Sequence, residues 1–425
     1  MNNNHAYLLI DIQKQSNIHV TNTRDLKYLK DEIESFNDLK IGYNTLRRLF
    51  GFLKKTTPTI STLNTLSKYL GHNSYTNYLN SNLKLNEWYF QQKLLLIQRS
   101  NNITEDDLKI INNGMSYRNN IISVAYYISN LIQVNNITLL NIIFEKLLLN
   151  NILIHNLLKF ATIITHSFYS INEDKALVIY TSLTKHENFR DSVPLLYIDY
   201  SNLNTLYNKV LELVKKYSVK ESDLFFVSLM QFYKQFYTED KLNTVQINQP
   251  KHFTDFYPVL QGRYFAYKIM LSNTVDPTLK RLIFTACKTN NAHSIVEEVI
   301  PSLIIKEEYE ILNELSEKFY EDIFESFRWS NSSGNAIYLI GLANINCHQN
   351  SIKNAKKNLE LIKLEEVELS YYDYISLFYY LTKIKISHLD NDIETNSSAY
   401  TILKQLVLKT GFQKFLDVSK EYILK

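Results

Sequence analysis

The sequence predicts an all-α fold, and three observations support that prediction. Only 8 of the 425 residues are glycine, where average usage would give about 30. Apolar residues recur at the spacing of buried helix faces along most of the chain. No stretch reads as a ladder of alternating strands. We therefore expect a small N-terminal domain of compact helices, followed by a long irregular α-solenoid of antiparallel helix pairs.

The shortage of glycine also argues against a nucleotide-dependent enzyme. The chain contains no G-x-G-x-x-G, no G-x-x-x-x-G-K-[ST] and no G-x-S-x-G, the loops that hold phosphates or a catalytic serine. Cys287 and Cys347 stand alone without a C-x-x-C, and His155 and His166 have no evident third metal ligand. We expect a protein that is not an enzyme and that needs no cofactor or metal.

Several features bear on where the protein works. Two isolated cysteines fit a reducing compartment. The first residues carry no basic segment, and the apolar piece at 6–10 is too short for a signal peptide. Polar residues such as Lys159 and His166 interrupt the apolar stretch 152–171, which favours a buried helix over a membrane span. We expect a cytoplasmic protein with no membrane partner.

Charge is distributed unevenly along the chain. The net charge is only +3, but residues 39–86 contain no Asp or Glu. The positive residues of this window are Lys40, Arg47, Arg48, Lys54, Lys55, Lys68 and Lys84. A basic window of this kind predicts contact with a polyanion, nucleic acid first. The alternative is a solvated surface decorated with lysines.

Three short helices are predicted in and beside the basic window. A first helix covers about residues 24–36, with Thr23 as its N-cap. A second helix closes at Gly51, and a third has Thr59 as its N-cap and ends at Gly71. We assign residues 1–86 to this helical domain and residues 87–425 to the second region.

Two segments of the basic window carry a family resemblance. Residues 41–51 read IGYNTLRRLFG and residues 58–71 read PTISTLNTLSKYLG. They resemble the recognition helix and the following helix of Cro-like, lambda-repressor-like helix-turn-helix domains. The resemblance covers about 50 residues, and it implies a domain that binds double-stranded DNA.

Helical geometry selects the candidate DNA-contacting residues. With Leu46 and Leu49 facing inward, the side chains that turn outward are those of Tyr43, Asn44, Arg47 and Arg48. Arg can bond guanine and Asn can bond adenine bidentately, so Arg47 and Asn44 are predicted to read bases, and Tyr43 could read bases or bind phosphate. The predicted phosphate-binding residues are Arg48, Lys54, Lys55 and Lys68.

The remainder of the chain alternates apolar helical stretches with short polar breaks. Within residues 339–362, apolar and small residues fall in the phase of a tetratricopeptide-like helical hairpin. One hairpin does not establish a repeat array, so irregular α-solenoid remains the description.

The layout is similar to that of bacterial regulators that join a repressor-like DNA-binding module to a tetratricopeptide-like sensor of peptides or proteins. It implies a transcriptional regulator in which a peptide or protein effector, bound to the second region, shifts the arrangement of two DNA-binding heads in a homodimer. Half-sites would then lie about one helical turn apart. The alternative is a non-enzymatic interaction scaffold whose N-terminal helices contact a protein partner and not DNA.

Overall fold

The structure is a computed structural model. It describes residues 4–16, 18–36, 39–54, 56–81, 87–100, 102–115, 120–149, 152–239, 246–289, 292–324 and 332–424. Within these ranges the chain forms 24 α-helices and no β-strand, which confirms the predicted all-α class. No helix in these ranges combines the length and the apolarity that crossing a bilayer requires.

The chain divides into two compact units. The N-terminal unit consists of Met1–Leu131 and Thr138–Phe160, and the C-terminal unit consists of Ile132–Ile137 and Ala161–Lys425. The first ten helices in chain order are α1 (Asn4–Ser16), α2 (Asp25–Ser35), α3 (Tyr43–Leu49), α4 (Ile60–Tyr69), α5 (Tyr75–Ser81), α6 (Glu87–Arg99), α7 (Glu105–Met115), α8 (Asn120–Gln133), α9 (Ile137–Lys146) and α10 (Ile154–Ser167).

The other fourteen helices belong to the C-terminal unit. They are α11 (Glu173–Leu183), α12 (Glu187–Ser192), α13 (Leu206–Tyr217), α14 (Glu221–Thr238), α15 (Pro258–Leu271), α16 (Pro277–Thr289), α17 (Ala292–Ile305), α18 (Tyr309–Lys318), α19 (Tyr320–Phe324), α20 (Ser332–His348), α21 (Ile352–Glu360), α22 (Leu369–Leu389), α23 (Ile393–Thr410) and α24 (Lys414–Ser419).

Helices α1 to α5 share one hydrophobic core. Its buried members are Leu8, Leu9, Ile12, Leu26, Leu29, Ile33, Ile41, Leu46, Leu63, Leu66, Tyr69 and Tyr78. Most of the apolar stripes predicted for α2, α3 and α4 therefore point inward, but Phe36 and Ile60, which the prediction included, are exposed. Among the described residues, the last member of this core is Leu79. The predicted domain boundary after residue 86 falls outside the described ranges and stays a prediction.

The predicted helix ends in the basic window are confirmed. Gly51 and Gly71 have φ of 83° and 82°, a conformation that glycine adopts without the steric cost of a Cβ. The N–H groups of Gly51 and Phe52 donate to the carbonyls of Arg48 (3.3 Å) and Arg47 (2.8 Å), which is the hydrogen-bond pattern of a Schellman motif. At the start of α4, the Thr59 hydroxyl accepts from the N–H of Thr62 at 3.2 Å.

The prediction of Thr23 as the first N-cap is wrong. The Asn22 side chain accepts from the N–H of Asp25 (3.2 Å), and the Asp25 carboxylate accepts from the N–H of Asn22 (3.0 Å). This reciprocal pair satisfies donors at the helix start, as a capping box does. The carbonyl of Thr23 instead accepts from the Tyr43 hydroxyl at 2.8 Å.

The same tight turn joins helices at four places. Asn135, Glu307, Asn350 and Asn391 each have φ between 54° and 58°. Each of these residues is followed by one residue and then by the next helix, at the α8–α9, α17–α18, α20–α21 and α22–α23 connections. The chain therefore repeats one kind of antiparallel helical hairpin. The α20–α21 hairpin is the one that the sequence predicted.

Polar contacts between hairpins recur at a nearly constant separation in sequence. In the N-terminal unit, the Asn112 side chain donates to the carbonyl of Lys146, 34 residues away. In the C-terminal unit, the pairs separated by 34 or 36 residues include Glu173–Lys209, Lys280–Glu314 and Lys356–Asp390. A constant offset of this size means that equivalent positions of successive hairpins meet within each unit.

One connection of the C-terminal unit departs from the hairpin pattern. Residues 193–205, between α12 and α13, form no helix, but Tyr197, Asp199, Tyr200 and Leu203 within them are buried. We call residues 193–205 the strap. The N–H of Ser201 donates to the carbonyl of Ser370 on α22 at 2.8 Å, so hydrogen bonds to a distant helix satisfy part of this buried backbone.

Candidate nucleic-acid interface

Helix α3 is anchored in the core of the first five helices and exposes part of its polar face. Leu46 is fully buried against the core of the first five helices, and the Gly51 turn closes the helix on the other side. The side chains of Asn44 and Arg48 are exposed, whereas those of Tyr43 and Arg47 are half-buried. The outward face predicted from helical geometry is therefore accessible at two of its four residues and partly accessible at the other two.

The three predicted base-reading residues contact one another. The Arg47 guanidinium donates to the Asn44 side-chain oxygen at 3.4 Å, and the guanidinium carbon lies 5.8 Å from the centre of the Tyr43 ring. The Tyr43 hydroxyl is already bonded to the carbonyl of Thr23. Tyr43 thus holds the start of α3 near the start of α2 and supports the Arg47 side chain.

The orientation of Arg47 decides which of its donors can reach a ligand. Its Nε is buried and makes no hydrogen bond to any described residue. The two terminal nitrogens form the other edge of the guanidinium, and one of them makes only the long contact to Asn44. Bidentate bonding to a guanine edge needs two parallel donors, which these terminal nitrogens supply.

The predicted phosphate-binding residues lie on different elements. Arg48 is exposed on α3, Lys54 is exposed in the turn that follows α3, and Lys68 is exposed in the last turn of α4. Lys55 lies outside the described residues. The structure thus gives three exposed cations on or near α3 and α4.

Glu34 and Lys30, which the sequence did not indicate, help to fix the position of α3. One carboxylate oxygen of Glu34 accepts from the N–H of Ile41 at 3.2 Å, and the other pairs with Lys30 at 2.5 Å. The hydrogen bond from Lys30 lowers the pKa of Glu34, with a further contribution from the N–H of Ile41. Glu34 therefore ties the end of α2 to the residues that lead into α3. A single Glu seven positions before an Ile gives no recognisable sequence signal.

No protein-family model matches this chain, and no curated protein or solved structure matches it either. Among the described residues, no group of three or more His, Cys, Asp or Glu side chains is placed to hold a metal ion.

Proposed function

We propose that this protein is a DNA-binding transcriptional regulator whose helical-repeat region binds a peptide or protein effector. One observation supports the DNA-binding part above the others: exposed Asn44 and Arg48 and half-buried Arg47 share one helix within an acid-free, strongly basic window. Cations without neighbouring acids attract phosphates, and exposed Asn and Arg side chains can bond base edges.

The effector part of the proposal draws on the hairpins of the C-terminal unit. Contacts at offsets of 34 and 36 residues are close to the period of about 34 residues that is typical of tetratricopeptide-like arrays. Stacked helical hairpins create extended surfaces that bind peptides and proteins. A homodimer would place two copies of α3 on neighbouring half-sites.

The test measures DNA binding by the full chain at a series of salt concentrations. The readout is the fluorescence anisotropy of a labelled duplex of mixed sequence. Each phosphate contact should contribute about −0.9 to the slope of log affinity against log salt concentration. Replacing Arg48 and Lys68 together by glutamine should make that slope shallower by about 1.8.

A matched control removes two cations that are exposed elsewhere. Lys215 and Lys216 lie in the last turn of α13, and both are exposed. Replacing them by glutamine removes the same charge as the Arg48 and Lys68 variant and should leave the slope unchanged. If both double variants change the slope equally, binding is a diffuse charge effect. If the chain does not bind DNA at about 50 mM salt, the interaction scaffold becomes the better function.

A further inference from the structure

Helix α6 is held in the N-terminal unit by one buried stripe, which consists of Phe90, Leu94 and Ile97. A Cβ added to Gly114 of α7 would lie 2.1 Å from the Phe90 ring. The ring therefore occupies the space that a glycine leaves beside the α7 backbone. This close approach fixes which face of α6 packs against the unit and which face points away from it.

The face of α6 that points away is apolar and exposed. Its large side chains are Trp88 (67% exposed), Tyr89 (49%), Leu95 (52%) and Leu96 (60%). These fractions already include the shielding by every contact that the side chains make within the chain. At about 100° per residue, the four positions fall within a sector of about 120°, and the exposed Gln92 lies at its middle. Single exposed apolar residues are normal, but four on one helix face form a patch.

The area of this patch fits an interface between two copies of the chain. The four side chains together expose roughly 400 Å², and monomeric proteins rarely expose an apolar patch of more than a few hundred Å². Two copies would cover about 800 Å² of apolar surface, and about 65% of a homodimer interface is apolar. The whole interface would then bury about 1,200 Å², the lower end of the range for specific, stable complexes.

The order of residues along α6 makes the patch complementary to itself. The aromatic side chains lie at one end, at positions 88 and 89, and the leucines lie at the other end, at positions 95 and 96. In an antiparallel pair of α6 helices with a two-fold axis at Gln92, the aromatic end of each copy meets the leucine end of the other. The Gln92 amide can donate and accept, so the two copies of Gln92 can bond to each other at the axis.

The charges of α6 are compatible with this pairing. Residues 88–99 contain no Asp or Glu, and their cations are Lys93 and Arg99. The Lys93 ammonium lies 5.5 Å from the centre of the Tyr89 ring of its own helix. The two copies of Arg99 would lie about 20 Å apart along the helix axes, which is about two Debye lengths at 0.1 M salt. Apolar side chains at the centre and charges at the rim are typical of protein interfaces.

We propose that the exposed face of α6 is the surface through which two copies of this chain form a dimer. Helix α5 ends at Ser81 and α6 begins at Glu87, so α6 follows the helices that carry the candidate nucleic-acid interface almost directly. A dimer through α6 brings two such interfaces together, as a regulator that reads two half-sites needs. The inference rests on the proposed function only for the use of the dimer and not for its formation.

The experiment is sedimentation velocity of the full chain without DNA, over a range of protein concentrations. We expect a dimer with a dissociation constant of about 1 to 10 μM, because an interface of this size lies at the small end of specific complexes. Leu96→Ser should raise the dissociation constant by at least about tenfold, since a two-fold interface loses the side chain twice.

Leu408→Ser is the matched control, because Leu408 is 83% exposed on α23 in the C-terminal unit. This variant should dimerise as the parent does. A parent chain that stays monomeric at about 100 μM would overturn the proposal. A Leu96→Ser variant that dimerises as tightly as the parent would overturn it as well.

Cross-linking tests the antiparallel register. Gln92→Cys places two thiols at the axis, whereas Arg99→Cys places them about 20 Å apart. The native Cys287 and Cys347 are buried, so they react slowly with a bismaleimide. A short bismaleimide should link the Gln92→Cys variant into a covalent dimer and leave the Arg99→Cys variant largely unlinked. Equal yields of covalent dimer from the two variants would rule out this pairing.

The two proposals can fail separately. A chain that dimerises through α6 but does not bind duplex DNA would support the dimer interface and refute the regulator. A chain that binds duplex DNA but stays monomeric in sedimentation would support DNA binding and refute the dimer interface.

Discussion

Replacing Arg47 by alanine should leave the protein bound to DNA but less able to distinguish one sequence from another. Arg47 offers two terminal nitrogens, since its Nε is buried, and they suffice for one bidentate pair with guanine. Such a pair contributes about 1 to 3 kcal/mol of discrimination, or about 5- to 150-fold in relative affinity. The ratio of affinities for selected and random DNA should therefore fall by a factor in that range.

Arg48→Ala should act differently because Arg48 is exposed and is proposed to bind phosphate. Losing one phosphate contact removes about 0.9 log units of affinity at 0.1 M salt, which is about eightfold. The loss should be equal on selected and random DNA, and the salt dependence should become shallower by about 0.9.

Arg47→Lys distinguishes the effect of the positive charge at this position from the effect of the planar guanidinium. Lysine keeps the positive charge but lacks the planar pair of donors, so discrimination should fall while the salt dependence stays unchanged. The assay is competition binding of the full chain, on a duplex selected from a random pool and on an unselected duplex, at several salt concentrations. If Arg47→Ala and Arg48→Ala weaken both duplexes by the same factor, the assignment of base reading to Arg47 and of phosphate binding to Arg48 is wrong.

Two further predictions concern stability. Burial raises the pKa of Asp199 to about 6 from an ordinary 3.8, so the folded chain holds a proton that the unfolded chain releases. Asp199 should therefore contribute a fall of about 3 kcal/mol to the free energy of unfolding between about pH 4 and pH 6. Other carboxyls titrate in the same range, so the measured quantity is the difference in the free energy of unfolding between the parent and Asp199→Asn, from urea titrations at both pH values; a difference that does not change with pH would contradict the assignment. Gly71→Ala meets no atom within 4 Å, whereas a Cβ at Gly411 would lie 2.3 Å from the Asn204 side chain. Both glycines have positive φ, so Gly71→Ala should lower the free energy of unfolding by about 1 kcal/mol through backbone strain. Gly411→Ala should lower it further, because the new Cβ also collides with Asn204. Equal melting temperatures of the two variants would refute the packing argument.

The sequence was informative where structure depends on neighbouring residues. Gly51, Gly71 and Thr59 were correctly placed at helix ends, because capping is decided within a few residues. Thr23 is not the cap because the neighbouring Asn22 and Asp25 side chains satisfy the donors at the helix start, and several capping residues in a row leave the choice among them open. Helical geometry gives the direction of the Arg47 side chain and not its exposure, which the structure shows to be half-buried with a buried Nε.

Three of the four tight turns between paired helices share a short sequence pattern. Asn135, Asn350 and Asn391 are each followed by a polar residue and then by isoleucine. Asn tolerates positive φ, which suits these three turns, but residues 101–103, 119–121 and 150–152 read Asn-Asn-Ile as well, so the pattern alone does not identify the turns. The fourth turn has Glu307 at the same position, which no pattern search based on Asn would find.

The contact between the strap and α17 could not be predicted, because it joins segments far apart in the chain. Tyr200 meets Glu298, 98 positions away, through a strap that carries no helical periodicity. Only the three-dimensional arrangement brings Tyr200 close to the α17 carboxylates.

The strap limits how far the C-terminal unit can be truncated before the remaining part unfolds. Arrays of hairpins usually contact only their neighbours and can be shortened from one end. Here the Ser201 hydroxyl donates to the carbonyl of Leu369 at 3.1 Å, 168 positions later, and Ser370 donates to Tyr197 at 2.6 Å. Truncation before α22 would expose the strap's buried backbone, so the last helices are needed for the middle of the chain to stay folded. Folding should be slow for a helical protein, since these long-range contacts form only after the last helices have been made.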